Sequence, residues 1–361
     1  MSIMLPAYPY QALLLQCRGG FENDCAAEIT DISARFGATG YCRTRPGSGY
    51  VEFVPIAGGD LAEMLAELPF SNLIFARQWG ACLRTLADLP VNDRISPILA
   101  ELKGIGELHE VFIEHPDTNE GKELAGFCRK FFHPLRQALE REGIRIGANR
   151  HAPRLQLFFP RSTEVFVCLA DPGNSSPWPL GIPRLRMPRQ APSRSTLKLD
   201  EALLSFLTAK EREARLKPGQ TAVDLGAAPG GWTWQLTRRG LKVTAVDNGP
   251  MALEAMGSGL VDHLRTDGFK YRPPHPVEWL VCDMVENPLR VTALIAGWLC
   301  RGDCREAIFN LKLPMKKRYA MVQECLSLIQ QHCADAEVDY TLACKQLYHD
   351  REEVTVYIRR R

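Results

Sequence analysis

The stretch that most constrains this chain runs from residue 221 to residue 234 and reads TAVDLGAAPGGWTW. A short apolar run reaches Asp224, and a glycine-rich turn then leads into a segment with helical spacing. Glycines in such a turn let the backbone approach a ligand closely, and the order strand, loop, helix is that of a nucleotide-type cofactor site. The spacing is G-x-x-x-G-G, which differs from the G-x-G-x-x-G fingerprint of dinucleotide-binding proteins. The stretch therefore predicts a Rossmann-like sheet that binds a different cofactor.

Composition places the chain among ordinary globular proteins. Its 361 residues are 45% hydrophobic and 24% charged, and the formal net charge is +2. Affinity for nucleic acid would therefore have to come from local clusters of basic residues. The 12 cysteines include no C-x-x-C pair and follow no hydrophobic leader, so we expect reduced thiols and predict no metal site. These observations predict a soluble, cytoplasmic protein without a membrane segment.

The pattern of apolar residues divides the chain into four segments. Residues 1–88 read as strands and helices in a ferredoxin-like order, and residues 89–172 as a second α+β unit with a long basic helix over 122–142. Residues 173–194 are rich in proline and arginine, which predicts an extended connector that could contact RNA phosphates. For both basic segments, a merely solvated surface is the alternative. Residues 195–361 form the fourth segment.

This fourth segment alternates helices with strands, which predicts a doubly wound, mostly parallel sheet. Ligands of such sheets bind beyond the carboxyl ends of the strands. The last two predicted strands are joined only by the short connection 348–353, so they should pair as a hairpin and reverse one edge of the sheet. A reversed edge is typical of methyltransferases that use S-adenosylmethionine and not of dehydrogenases. The predicted fold class is therefore an α/β methyltransferase domain after an α+β N-terminal module.

Four aspartates follow successive predicted strands on the expected ligand side: Asp224, Asp247, Asp267 and Asp283. Asp247 lies where an acidic side chain can accept hydrogen bonds from ribose hydroxyls, and Asp267 lies where it could meet an adenine amino group. One such aspartate usually forms a turn. Four in succession, after a loop that contains Gly226 and Pro229, predict an S-adenosylmethionine site instead.

The residues after the fourth strand of this sheet narrow the choice of methyl acceptor. Enzymes that methylate exocyclic amines need an [ND]-P-P-[YFW] box there, whereas this chain has Asp283-Met284-Val285. Methylation of pyrimidine C5 needs a nucleophilic cysteine, usually after proline, and the sequence contains no Pro-Cys pair. A set of lysines and carboxylates remains at the strand ends: Lys198, Asp283, Lys312 and Glu353.

Such a set suits a ribose 2′-hydroxyl, because this poor nucleophile must lose its proton as the methyl group arrives. A lysine can accept that proton only when its pKa is depressed, and we expect the second lysine and burial to lower it. The two carboxylates would orient the ammonium groups. Glu352 is an alternative to Glu353, because strand alternation decides which of them faces the site and the register is open.

These residues resemble the FtsJ-type ribose 2′-O-methyltransferases. The resemblance rests on residues 195–200 (STLKLD), the loop 224–232, Cys282-Asp283-Met284, Leu311-Lys312-Leu313 and Glu353-Val354. It implies a tetrad of Lys198, Asp283, Lys312 and Glu353, with Lys312 as the proton acceptor. It also implies that S-adenosyl-L-methionine is held by a set of residues near the loop and the strand ends: Ser195, Ala228, Pro229, Gly230, Gly231, Asp247, Asp267 and Asp283.

Longer segments resemble the bacterial members of this group that methylate a cytidine ribose of 23S rRNA. They include VDNGPM (246–251), NLKLPMKKRY (310–319) and LPFSNLIFARQW (68–79). The resemblance implies a THUMP-type RNA-binding unit over residues 89–172 and 23S rRNA as the partner. No protein partner is evident, and a monomer is expected. Three alternatives stay open: a non-catalytic RNA-binding or ribosome assembly factor, a ribose methyltransferase acting on another RNA such as tRNA, and a nicotinamide-dependent oxidoreductase.

Overall fold

The computed structural model of this protein describes Leu5, residues 8–56 and residues 61–361. The chain divides into two compact units, Met1–Pro183 and Arg184–Arg361. Small parts of the segment predicted over 1–88, namely residues 1–4, 6–7 and 57–60, lie outside the described residues. Within the described part, no helix is long and apolar enough to cross a membrane.

The described part of the first unit contains nine strands: seven form one sheet with helices packed against it, and the short fifth and seventh strands form a separate pair. Its strands are β1 (Ala12–Gln16), β2 (Gly40–Thr44), β3 (Tyr50–Pro55), β4 (Gln78–Leu86), β5 (Glu107–Leu108), β6 (Val111–Glu114), β7 (Arg145–Ile146), β8 (Arg154–Arg161) and β9 (Glu164–Ala170). Its α-helices are α1 (Glu22–Arg35), α2 (Leu61–Glu67), α3 (Ile95–Glu101), α4 (Asn119–Glu123) and α5 (Ala125–Arg141). The helix predicted over 122–142 is therefore two helices, which meet at Leu124.

The N-terminal part of this sheet has the ferredoxin-like topology that the sequence predicts. The order β1-α1-β2-β3-α2-β4 places the strands as β2-β3-β1-β4, with antiparallel neighbours throughout. The sheet does not stop there, because β9 pairs with β4 and carries β8 and β6 beyond it. Residues on both sides of the predicted boundary at 88/89 thus share one sheet. A boundary at this point stays a prediction.

The proline-rich connector is more ordered than the sequence suggests. Short 3-10 helices form at Pro172–Asn174 and Pro179–Gly181, and the side chains of Leu180 and Ile182 are buried. The backbone N–H of Leu180 donates to the buried carboxylate of Glu114 at 2.5 Å. Residues up to Pro183 therefore belong to the first unit, since buried apolar side chains and backbone hydrogen bonds fix them there.

The second unit is a seven-stranded sheet with helices on its faces. Its strands are β10 (Thr221–Leu225), β11 (Lys242–Val246), β12 (Val261–Leu264), β13 (Val277–Cys282), β14 (Cys304–Lys312), β15 (Tyr340–Lys345) and β16 (Glu353–Arg360). Its helices are α6 (Thr196–Phe206), α7 (Ala209–Arg215), α8 (Gly231–Thr237), α9 (Leu253–Met256), α10 (Pro288–Arg301) and α11 (Arg318–Asp335). Trp232, Trp279 and leucines of α6 and α8 fill the core on one face of the sheet.

The strand order is β12-β11-β10-β13-β14-β16-β15. The first five strands are parallel, and β16 is antiparallel to both of its neighbours. The predicted antiparallel pairing of the last two strands is confirmed, but the reversed strand is not the edge strand. After β14, the chain passes through α11 to β15, which lies at the edge of the sheet. The last strand, β16, lies between β14 and β15.

Candidate active site

The glycine loop lies at the carboxyl edge of the second sheet, between β10 and α8. Gly226 and Gly230 have φ angles of +75° and +110°, which side chains rarely tolerate. A Cβ at Gly226 would lie 2.5 Å from Met284 Cγ, and one at Gly231 would lie 2.3 Å from Ser195 Oγ. Ala228 and Pro229, joined by a cis peptide, complete the loop. The loop therefore presents bare backbone at the point where parallel strands end, which suits a cofactor held closely by main-chain groups.

The four aspartates occupy two kinds of environment. Asp224 is buried inside β10 and accepts a hydrogen bond from Thr233 Oγ1 at 2.6 Å, and burial raises the pKa of its carboxyl to about 7. Asp224 thus supports the loop from beneath. Asp247 follows β11 and accepts from the backbone N–H groups of Ala228 (3.0 Å) and Gly249 (2.7 Å).

Asp267 and Asp283 are partly exposed, as Asp247 is. Asp267 lies beyond β12 and accepts from the backbone N–H of Phe269 at 2.9 Å. Asp283 directly follows β13. The structure therefore brings Asp247, Asp267 and Asp283 to one edge of the sheet, as the sequence predicts, and leaves carboxylate surface open there.

Lys198 reaches this edge from the first turn of α6. The helix start is fixed by α8, because Trp232 Nε1 donates to the carbonyl of Ser195 (3.0 Å) and Gln235 Nε2 donates to that of Thr196 (3.0 Å). Both donors come from the helix that begins in the glycine loop. Two hydrogen bonds thus connect the start of α6, which carries Lys198, to the helix that follows the glycine loop.

Lys312 and Glu353 are brought together by the reversed strand. Since β16 runs antiparallel to β14, it begins at the edge where β14 ends, and Lys312 is the cross-strand partner of Glu353. The neighbouring Glu352 turns the other way and pairs with Arg318 at 2.6 Å. The register thus places Glu353, and not Glu352, beside Lys312. The sequence alone leaves the choice between these two glutamates open.

The four predicted tetrad side chains form a closed ring of alternating charge. Lys198 Nζ lies 3.2 Å from Asp283 Oδ2 and 2.5 Å from Glu353 Oε1. Lys312 Nζ lies 2.6 Å from Asp283 Oδ1 and donates a short hydrogen bond to Glu353 Oε2. Each carboxylate therefore bridges both lysines, and the ring carries no formal net charge. The Glu353 side chain is 4% exposed and that of Lys312 is 22% exposed, so Lys312 faces the open side.

The expected depression of the Lys312 pKa is not what this ring produces. Burial disfavours the ammonium form, but the two touching carboxylates outweigh burial, and the pKa of Lys312 is raised above its usual value. The two carboxylates lie between the lysines, so attraction to them prevails over the repulsion between the lysines that the sequence predicts. Lys312 is thus a protonated ammonium at neutral pH and must lose its proton before it can act as a base.

One polar residue of the site was missed by the sequence argument. Asn310 is fully buried in β14, two residues before Lys312 and on the same face of the strand, and its Nδ2 donates to Asp283 Oδ1 at 3.0 Å. An amide inside the apolar run IFNLKL, at even spacing from the lysine, was the available signal.

The basic residues between positions 184 and 198 have two kinds of surroundings. Arg184, Arg186, Arg189 and Arg194 are exposed, whereas Lys198 is held within the ring. Lys198 therefore does not belong to the basic surface of the connector. On α4 and α5, the exposed basic residues include Lys122, Arg129 and Lys130. Among the described residues, no cluster of three or more His, Cys, Asp or Glu side chains could hold a metal ion.

The fold and the ring define a methyltransferase domain, and three family models match the chain accordingly. They are the RlmM ferredoxin-like domain over residues 10–80, the N-terminal region of ribosomal RNA large subunit methyltransferase M over residues 93–171, and FtsJ-like methyltransferase over residues 191–297.

Curated relatives give the same result along nearly the whole chain. Proteins named ribosomal RNA large subunit methyltransferase M from Ectopseudomonas mendocina and Azotobacter vinelandii are each 51% identical to it, over 96% of this chain and 98% of their own length. The protein of that name from Aromatoleum aromaticum is 51% identical over 96% of this chain and 94% of its own length. The chain belongs to the ribosomal RNA large subunit methyltransferase M family.

Family membership confirms several predictions from the sequence. The α/β methyltransferase fold, the ferredoxin-like N-terminal domain and S-adenosyl-L-methionine as the cofactor of the family are confirmed. A nicotinamide-dependent oxidoreductase is excluded by the same finding. The THUMP-type character of residues 89–172, the monomeric state and the roles of individual site residues stay predictions.

Proposed function

We propose that this protein transfers a methyl group from S-adenosyl-L-methionine to the ribose 2′-hydroxyl of a cytidine in 23S rRNA. The observation that carries the proposal is the ring of Lys198, Asp283, Lys312 and Glu353 beside the glycine loop. A ring of two lysines and two carboxylates offers a proton acceptor to a hydroxyl and no stacking clamp for a base. The relatives' name, ribosomal RNA large subunit methyltransferase M, supports the class of RNA.

Backbone and carboxylate groups at the sheet edge would hold the cofactor. Gly226, Ala228, Pro229, Gly230 and Gly231 offer the close backbone approach. The open carboxylates Asp247 and Asp267 suit the ribose and the adenine amino group, while Ser195 and Asp283 border the reacting end. Asp224 would act beneath the loop through Thr233. When bound, the cofactor supplies an electrophilic methyl group on its sulfonium sulfur.

Lys312 would take the proton of the 2′-hydroxyl. Lys312 Nζ would accept the proton that the ribose 2′-oxygen loses as this oxygen takes the methyl group and the carbon–sulfur bond breaks. Lys312 must first be neutral, which its two carboxylate partners oppose at neutral pH. Asp283 and Glu353 orient the amine, and Lys198 balances their charge after Lys312 has lost its proton.

RNA would be held by the N-terminal unit and by the exposed arginines that precede α6. Arg184, Arg186, Arg189 and Arg194 lie within a stretch from 181 to 199 that contains no acidic residue. Such a segment suits phosphates, which provide sequence-independent affinity and depend steeply on salt. The choice of nucleotide would then be made at the ring.

A transfer assay with labelled methyl groups tests the proposal. The purified protein is incubated with cofactor and with transcripts of 23S rRNA, 16S rRNA or tRNA. We expect label in 23S rRNA only. Label confined to tRNA would show a ribose methyltransferase with another substrate. Cofactor binding without transfer to any RNA, including partly assembled large subunits, would favour a non-catalytic assembly factor.

A further inference from the structure

A second row of polar side chains lies directly behind the ring, between the same two strands. The cross-strand partner of Asn310 is Thr355, just as the partner of Lys312 is Glu353. Thr355 Oγ1 lies 2.8 Å from Asn310 Oδ1 and 2.9 Å from Asp350 Oδ2. Asn310, Thr355 and Asp350 each have 0% exposure. A buried line of three polar side chains thus leads from Asp350 to Asp283.

Proton counting fixes the direction of every hydrogen bond in this line. Asp283 bridges two ammonium groups as a carboxylate, so it can only accept, and Asn310 must offer its NH₂ group to it. The carbonyl oxygen of Asn310 therefore faces Thr355 and accepts the single proton of that hydroxyl. Thr355 then has no proton left for Asp350. The remaining contact requires Asp350 to donate, as a neutral carboxylic acid.

The surroundings of Asp350 favour this neutral form. Asp350 is completely buried, and burial together with repulsion from the carboxylates of Glu353 and Glu201 raises its pKa well above the usual value. Its Oδ2 accepts from the backbone N–H of Leu347 at 2.9 Å, and its Oδ1, 3.1 Å from Thr355 Oγ1, can carry the proton.

The turn that carries Asp350 is also tied to the helix of Lys198. Glu201, one turn after Lys198 on α6, accepts from the backbone N–H groups of Tyr348 (2.8 Å) and His349 (2.9 Å) and lies 2.6 Å from His349 Nδ1. These hydrogen bonds from α6 fix the turn and thereby keep Asp350 beside Thr355.

We propose that Asp350, Thr355 and Asn310 are positioning residues, which hold Asp283 against Lys312 through a one-directional hydrogen-bond line that begins at a neutral Asp350. This inference rests on the proposed function of Lys312. If Asp350 were ionised, Thr355 would turn its proton toward it, and Asn310 could flip its carbonyl toward Asp283. Asp283 would then be repelled from its place between the lysines.

The line predicts a shift in the pH profile that simple destabilisation would not cause. Thr355→Val removes the hydroxyl while preserving shape, so Asp283 loses its fixed orientation and Lys312 loses one of two carboxylate partners. Glu353 then remains as the carboxylate facing Lys312, with Lys198 as the neighbouring cation. We expect a kcat about tenfold or more lower, as for residues that orient a reacting group, and a rise of the rate with pH that levels off at lower pH than in the wild type.

Two conservative variants serve as matched controls. Thr355→Ser keeps the hydroxyl and should behave as the wild type. Asp350→Asn replaces the neutral acid by a neutral amide that can still donate to Thr355 and accept from Leu347, so it should retain the wild-type pH profile. If folded Thr355→Val and Thr355→Ser had the same kcat and the same pH profile, the proposal would be wrong.

A measurement on the wild type tests the line without any activity. The carbon-13 chemical shift of the Asp350 carboxyl, followed by NMR, should report a neutral acid at pH 8, and an ionised carboxylate at that pH would overturn the proposal. This result stands even if Thr355→Val does not fold. Failure of wild-type protein to methylate rRNA would instead refute the proposed function, and the NMR result would still decide the state of Asp350.

Discussion

Replacing Lys312 with alanine separates the chemical step from cofactor binding. Lys312 touches both carboxylates of the ring, and with its side chain 22% exposed it is the member turned most toward solvent. Asp283 and Glu353 still share Lys198 when Lys312 is removed, so we expect the ring and the fold to survive. A general base contributes about 10²–10⁴-fold to a rate. Lys312→Ala should therefore raise the barrier by about 3–5 kcal/mol.

The rates of the wild type and of Lys312→Ala should also depend differently on pH. Because the carboxylates raise the Lys312 pKa, the neutral amine is a minor form at pH 7. The wild-type rate should rise about tenfold for each pH unit below that pKa. The residual rate of Lys312→Ala should lack this dependence, since no group at that position titrates.

Single-turnover methyl transfer to 23S rRNA between pH 7 and 9, at saturating cofactor, is the appropriate assay. Calorimetry measures cofactor affinity, which should match the wild type. Lys242→Ala is the control, because this exposed lysine begins β11 at the opposite end of the sheet. Near-normal turnover by Lys312→Ala, or a loss of cofactor affinity as large as the loss of rate, would refute the assignment of Lys312 as the base.

Three further predictions test other parts of the site. Gly231→Ala should weaken cofactor binding, measured by calorimetry, because its Cβ would lie 2.3 Å from Ser195 Oγ; unchanged affinity would show that the loop can shift without loss. Glu353→Gln should lower kcat far more than Glu352→Gln, since Glu353 joins the ring and Glu352 pairs with Arg318, and equal effects would contradict the register argument. Replacing Arg186 and Arg189 together by glutamine should reduce the slope of log affinity for RNA against log salt, by about 0.7 for each lost contact to single-stranded RNA. An unchanged slope in filter binding would remove these arginines from the RNA interface.

Much of the second unit could be predicted because its motifs lie within short stretches of the sequence. The glycine loop and the aspartates after the strands follow directly from the chain order of a doubly wound sheet. Lys312 was identified by its place at the end of an apolar strand. Lys198 was grouped with the strand ends, whereas the structure has it in the first turn of α6. The structure brings these residues together because parallel strands end at one edge.

The rest depended on pairings between distant parts of the chain. The sheet crosses the predicted boundary at 88/89 because β9 pairs with β4, and the sequence near either strand does not show this partner. The choice between Glu352 and Glu353 required the register of β16 against β14. The raised pKa of Lys312 required knowing that both carboxylates touch it, which no spacing in the sequence reveals.

The position of the transferred methyl group is the most direct test of ribose methylation by this protein. Transcribed 23S rRNA is methylated by the wild-type protein, digested to nucleosides and analysed by mass spectrometry. We expect a single modified nucleoside, cytidine with the methyl group on its ribose, and none with Lys312→Ala. A methyl group on the base, or on the ribose of another nucleoside, would contradict this expectation.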